Sequence, residues 1–240
     1  MLNQNVITED NVKISFDLYK NNKRELLILA PGWCMTKNSN AFEKMGKSFL
    51  NYFDVCIFDF RGHGKSSGFY TFGAKEDKDL EAVVDYLKNE YDTIYLAGFS
   101  LGAMAGSILA SKSDLIKKLI LVSPPVSFGK IENKMWKKEA WGETIKKFEL
   151  NRFMSIRPSL IPHKKIKPID IIQNIKAPTL FLAGELDPTI YPWQTEELYK
   201  KARCKKSFNL FKNGIHAEDL YLHFEDDFMK ICLDFLKRDF

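Results

Sequence analysis

Apolar and polar positions alternate in two ways along this chain, and the change between them organises the reading. Near Asn5–Thr8 and Val12–Leu18 the period is two, with Glu9-Asp10-Asn11 between, which predicts an antiparallel hairpin. Beyond it, continuous apolar runs alternate with stretches of helical spacing. Leu26-Leu27-Ile28-Leu29-Ala30, ending in Pro31-Gly32, reads as a strand covered on both faces. Residues 39–50 follow with helical spacing at Phe42, Met45, Phe49 and Leu50, and Val55-Cys56-Ile57-Phe58 is a second buried strand, broken by Arg61-Gly62-His63-Gly64.

The clearest helix is Lys75–Tyr91, with Leu80, Val83, Val84 and Leu87 on one face and Glu76, Asp77 and Asp79 in its first turns. Strand Thr93–Ala97, helix Leu101–Ala110 and strand Leu119–Val122 come next. Strand Thr179–Ala183, helix Trp193–Ala202, strand Phe208–Phe211 and a C-terminal helix near Glu218–Leu236 complete the series. Such alternation predicts an α/β fold: a parallel sheet with helices on both faces, joined by right-handed crossovers.

One stretch interrupts the rhythm. From Pro124-Pro125 to Pro178 no buried strand is evident, and Trp136, Trp141, Phe148, Phe153 and Met154 lie among lysines and prolines. A structureless loop of that length is improbable inside a compact domain. The expectation is one core built from 1–123 and 179–240, with 124–178 a small helical cap over one end of the sheet. Residues 130–167 hold eleven Lys/Arg against four Glu, a local net charge of +7 within a chain whose formal total is +5. A solvated helical surface accounts for that charge, although it would also favour an anionic substrate.

Length and composition fit one soluble domain: 240 residues, 45% hydrophobic and 28% charged. The first twenty residues contain no apolar h-region, and no run approaches the roughly 18 apolar residues of a membrane span. Cys34, Cys56, Cys204 and Cys232 are scattered without metal-site spacing, as free thiols in a reducing compartment would be. The reading is therefore cytoplasmic, with no stable membrane insertion, no nucleic-acid motif and no metal; oligomeric state is open.

The chemistry concentrates at Gly98-Phe99-Ser100-Leu101-Gly102, between an apolar strand and a small-residue helix. A serine on such a strand-to-helix turn exposes its hydroxyl, and glycines two residues either side permit close packing. The helix N-terminus directs backbone N–H groups at developing negative charge. Among four histidines, His216 lies in a loop after the last predicted strand, where a base belongs in the order serine, acid, histidine; His63, His163 and His223 read as surface or packing residues. Asp187, in Gly184-Glu185-Leu186-Asp187-Pro188 after strand Thr179–Ala183, is the candidate acid, with Glu185 in reserve. The backbone N–H groups of Leu101 and Trp33 are the candidate oxyanion donors. Trp33, Met35, Phe99, Trp136 and Trp141 are candidates to line an acyl site, and Cys34, without a nearby base, reads as packing.

These residues together resemble the α/β-hydrolase superfamily over nearly the whole chain. Asp59-Phe60-Arg61-Gly62-His63-Gly64-Lys65-Ser66 is similar to its D-x-R-G-x-G-x-S loop, Gly184–Asp187 to its G-x-x-D acid turn and Gly214-Ile215-His216 to its terminal G-x-H. The resemblance is greatest to small bacterial esterases and monoacylglycerol-lipase-like enzymes. It implies a largely parallel eight-stranded sheet, a cap after the sixth strand and no cofactor. Pro31-Gly32 departs from the His-Gly of many members, and Trp33 is a bulky occupant of that turn. The function expected is hydrolysis of a short to medium carboxylic ester, a small-molecule substrate, through an acyl-enzyme. Thioester, lysophospholipid, monoacylglycerol or peptide cleavage and acyl transfer would use the same triad, and a non-catalytic ligand-binding protein is the reading from another class.

Overall fold

The computed structural model describes residues 1–131 and 155–239. Eight strands form one sheet in the order β1-β2-β4-β3-β5-β6-β7-β8. They are β1 (Leu2–Ile7), β2 (Lys13–Tyr19), β3 (Glu25–Ala30), β4 (Asp54–Phe58), β5 (Thr93–Phe99), β6 (Ile116–Val122), β7 (Thr179–Gly184) and β8 (Lys206–Phe211). The β1–β2 hairpin is antiparallel and β2 runs antiparallel to β4; β4, β3, β5, β6, β7 and β8 are mutually parallel. The expected architecture is the one observed.

Continuous apolar strands are explained by two cores, one on each side of the sheet. Leu26, Ile28 and Ala30 of β3 face one side, and Leu27 and Leu29 face the other. The first side is covered by α2 (Glu76–Leu87), α3 (Leu101–Lys112) and α5 (Pro192–Lys201), which contribute Leu80, Val83, Met104, Ile108 and Leu198. The second is covered by α1 (Asn40–Phe49), α6 (Glu218–His223) and α7 (Glu225–Lys237), which contribute Phe42, Phe49, Tyr221, Phe228 and Phe235. Burying each such side chain stabilises the fold by roughly 1.5–3 kcal/mol.

One local difference from the sequence reading has a clear cause. The C-terminal helix is broken into α6 and α7 at Phe224, whose backbone leaves the helical region (φ −132°, ψ 45°) while its ring packs 5.6 Å from that of Phe211. Residues 124–131 and 155–178, assigned to the cap, lie in part against the core. Val126, Ile172 and Ile175 are buried in the cluster that packs α3, and the short α4 (Pro168–Ile171) adjoins the same helix. Residues 155–159 run beside the loop after β4, where the Tyr70 N–H donates to Arg157 O and the Arg157 N–H to Gly62 O, both at 2.8 Å. No helix among the described residues is long and apolar enough to cross a membrane.

Because six strands are parallel, the loops after β3, β4, β5, β6, β7 and β8 all emerge at one edge. Every described candidate residue lies there, as is general for open parallel sheets.

Candidate active site

Ser100 caps β5 and opens α3 with φ +51° and ψ −104°, a strained backbone state for a residue with a Cβ. The turn is held by Ser100 N–H to Val122 O at 2.9 Å and Met104 N–H to Ser100 O at 3.0 Å. Gly102 is required by close approach, since a Cβ there would collide with the Ala30 carbonyl at the end of β3. The small residue thus lets the start of α3 sit directly on the loop that follows β3. Ser100 itself is half-buried, and its hydroxyl makes no hydrogen bond to a described residue.

Across the edge, His216 Nδ1 lies 2.7 Å from Asp187 Oδ2. The other carboxylate oxygen, Asp187 Oδ1, accepts from the N–H groups of Thr189 (2.9 Å) and Ile190 (2.8 Å). Asp187 is therefore fixed by the turn it begins, with its carboxylate set against His216 Nδ1, the contact that in a Ser-His-Asp triad orients the imidazole. Glu185, the reserve acid, is exposed and accepts instead from the Asn213 N–H at 2.9 Å. The two loops can touch because Gly184 lies against the Gly214 and Ile215 backbone, with no room for a Cβ.

The loop after β3 approaches from the opposite side. A Cβ on Gly32 would lie 3.7 Å from Ser100 Cβ and 3.9 Å from Glu218 Oε2. The backbone N–H groups of Trp33 and Leu101 donate to no described residue. Cys34 holds a left-handed φ of +62°, and the Met35 N–H closes a turn on Gly32 O at 3.2 Å. Trp33 is partly buried, with its indole Nε1 enclosed and unpartnered.

Of the candidate lining residues, Phe99 is wholly buried, edge-on to Phe42 and stacked on Phe228, and Met35 belongs to the same core cluster. Trp136 and Trp141 lie outside the described residues. His63 is a buried packing histidine whose pKa is lowered to about 4 by burial, against the raising effect of its contact with Arg61 O. His163 is partly buried, and His223 ends α6 with Nδ1 2.9 Å from Asp219 O. Among the described residues no group of three or more His, Cys, Asp or Glu is set to hold a metal.

Sequence reasoning passed over three residues. Ser123 directly follows β6, is buried with φ +48°, and its hydroxyl accepts the Ala217 N–H at 3.2 Å, next to His216. Glu218 sits by Gly32, and Lys37 is buried within the loop after β3. Ser123 had a signal, since it ends an apolar strand as Ser100 does; the other two had none.

A family model described as alpha/beta hydrolase fold matches residues 25–148. This chain belongs to the alpha/beta hydrolase family. Within that family it is 30% identical over 196 residues to the alpha/beta hydrolase domain-containing protein WAV2 of Arabidopsis thaliana, covering 77% of this chain. That match spans about three-fifths of the relative's length, 61%. It is 26% identical over 211 residues to pimeloyl-(acyl-carrier protein) methyl ester esterase of Nitrosospira multiformis, covering 69% of this chain and 78% of that one. Among solved structures, this alpha/beta hydrolase superposes on the Pyrococcus furiosus esterase Pf2001 with a TM-score of 0.81 at 24% identity, covering 99% and 91% of the two chains.

Proposed function

We propose that this alpha/beta hydrolase is a serine esterase that cleaves a carboxylic ester through an acyl-enzyme. Ser100 attacks the ester carbonyl as His216 Nε2 takes its proton, and the tetrahedral oxyanion is met by the Trp33 and Leu101 N–H groups. His216 returns the proton to the leaving alcohol. Water, activated by the same imidazole, then releases the acid and restores Ser100. Asp187 orients the ring throughout.

The observation that carries this reading is the Asp187–His216 hydrogen bond of 2.7 Å at the same sheet edge as a serine held in a left-handed turn. Family membership and relatives named as esterases support ester cleavage over the other acyl-transfer reactions this triad serves. All three triad positions are filled, which favours an enzyme over a ligand-binding protein.

Hydrolysis of a chain-length series of p-nitrophenyl esters, wild type beside Ser100→Ala, tests the proposal. Turnover that needs Ser100 and declines with acyl length is the expected result. Turnover retained in Ser100→Ala would sink the mechanism. If no ester is turned over, labelling of Ser100 by a fluorophosphonate separates a narrow substrate range from an inactive protein.

A further inference from the structure

Lys37 is wholly buried, an unusual place for an ammonium group. Its Nζ lies 2.7 Å from Asp17 Oδ1, with side-chain exposures of 1% and 2%. Asp17 Oδ1 also accepts from Asn3 Nδ2 at 2.6 Å. The backbone end of Lys37 is held as firmly, since its N–H donates to Asp59 Oδ1 at 2.7 Å while Asp59 Oδ2 accepts the Lys65 N–H at 2.8 Å. One residue thus joins the edge hairpin, through β2, to the loops after β3 and β4.

Stability alone is a poor reason for such a pair. Two charges taken from water recover little more than their desolvation cost, and an apolar pair of similar volume often folds as well. What a buried pair supplies is position. The segment it holds contains the left-handed Cys34, a strained state that persists only where its surroundings enforce it. Two residues beyond Lys37, Ser39 continues the fixation: its Oγ accepts the Thr36 N–H at 2.9 Å, and its own N–H returns to Thr36 O at 3.0 Å. From Gly32 to Ser39 the loop is fastened at its far end, while its near end brings Gly32, next to Trp33, against Ser100.

We propose that Lys37 is a positioning residue: clamped between Asp17 and Asp59, it holds the left-handed turn that presents the Trp33 N–H to the tetrahedral centre on Ser100. The inference rests on the esterase reading and extends it, naming how the oxyanion donor is held in place. Lys37 touches no reacting atom. Its effect belongs to the transition state, so its loss lowers kcat and leaves KM nearly unchanged.

The test is the double variant Asp17→Leu/Lys37→Met, which replaces the ion pair by apolar side chains of similar size. Its kcat on a p-nitrophenyl ester is expected to fall on the order of 10- to 100-fold, with KM within about twofold of wild type. Affinity for a trifluoromethyl ketone, which forms the tetrahedral adduct, should weaken by the same factor. Val84→Ala, a core truncation on α2, controls for stability loss and should leave both quantities unchanged. If the double variant does not fold, Asp17→Asn keeps the volume and should show the same kcat-only loss at smaller size. Wild-type kcat and ketone affinity in a folded variant would overturn the clamp while Ser100 still labels with a fluorophosphonate. Absence of Ser100 labelling in the wild type would overturn the esterase reading, and the clamp with it.

Discussion

On the β3–β4 side of Ser100 the loops are anchored by buried ionisable side chains, whereas on the β7–β8 side they are anchored chiefly by backbone packed against backbone. Lys37, Asp17 and Asp59 secure the first, joined by Arg61, which hydrogen-bonds both Asp10 and the fully buried Asp79. The second relies on Gly184 lying against Gly214 and Ile215, with Ser123 holding the Ala217 N–H. Each choice suits its load. On the β7–β8 side backbone packing, with Glu185 accepting the Asn213 N–H, brings together the Asp187–His216 pair of the proposed mechanism. On the β3–β4 side no member of the proposed triad is present, and the buried groups there act on loop position, with burial pushing Asp79 up to about 7.

This contrast can be broken most severely at its pivot. Ser100→Ala should lower kcat on the order of 10⁴- to 10⁶-fold in an ester assay. Because the hydroxyl contributes little packing, the unfolding free energy from urea titration should change by less than about 0.5 kcal/mol. Next in size is Asp187→Asn, which keeps the shape but favours the wrong imidazole tautomer; a loss of roughly 10³- to 10⁴-fold in kcat is expected, with KM preserved. Gly184→Ala attacks the glycine-packed side directly. Its new methyl has no space beside Ile215 O, so the acid and base loops must separate. We expect about 1–3 kcal/mol of lost stability and a rate fall on the order of 10²-fold.

Acid should distinguish the two sides further. His63, in the charge-anchored loop after β4, titrates near 4 in the folded protein and near 6.5 unfolded. The unfolded chain therefore binds the extra proton between those values, and stability falls as pH drops through that window. Denaturant unfolding at pH 7 and pH 4.5 should differ by roughly 2–3 kcal/mol from this residue, and His63→Asn should remove that share of the difference. The mildest change is Ser123→Ala, which leaves the buried Ala217 N–H without its acceptor. About 1–2 kcal/mol of stability and a several-fold drop in kcat should follow, whereas any gain in activity would contradict a role in holding the base loop.

The same contrast explains what could be read from the sequence. Ser100 and Asp187 stand out because each follows an apolar strand and is marked by a neighbouring glycine, and His216, beside Gly214 after β8, by its place in the order serine, acid, histidine. The strands were legible for a similar reason: with two faces to cover, a central strand has no polar position to spare. Lys37 and Asp17 were not legible, since a charge in a sequence reads as solvent-facing and the partners are brought together only by the pairing of β2 with β4. The break at Phe224 was hidden because apolar spacing continues across it, and only the tertiary contact with Phe211 bends the chain there.

From β3 onward the sheet grows almost in chain order, β3, β5, β6, β7 and β8 side by side. During synthesis each new strand can dock on the edge left by the one before, and the base loop arrives last, after β8. At about 5–20 residues per second, completion of the chain from the nucleophile to the base takes on the order of ten seconds. Throughout that interval the nascent protein has the Ser100 turn but not His216, and the proposed acyl chemistry waits on the loop after β8.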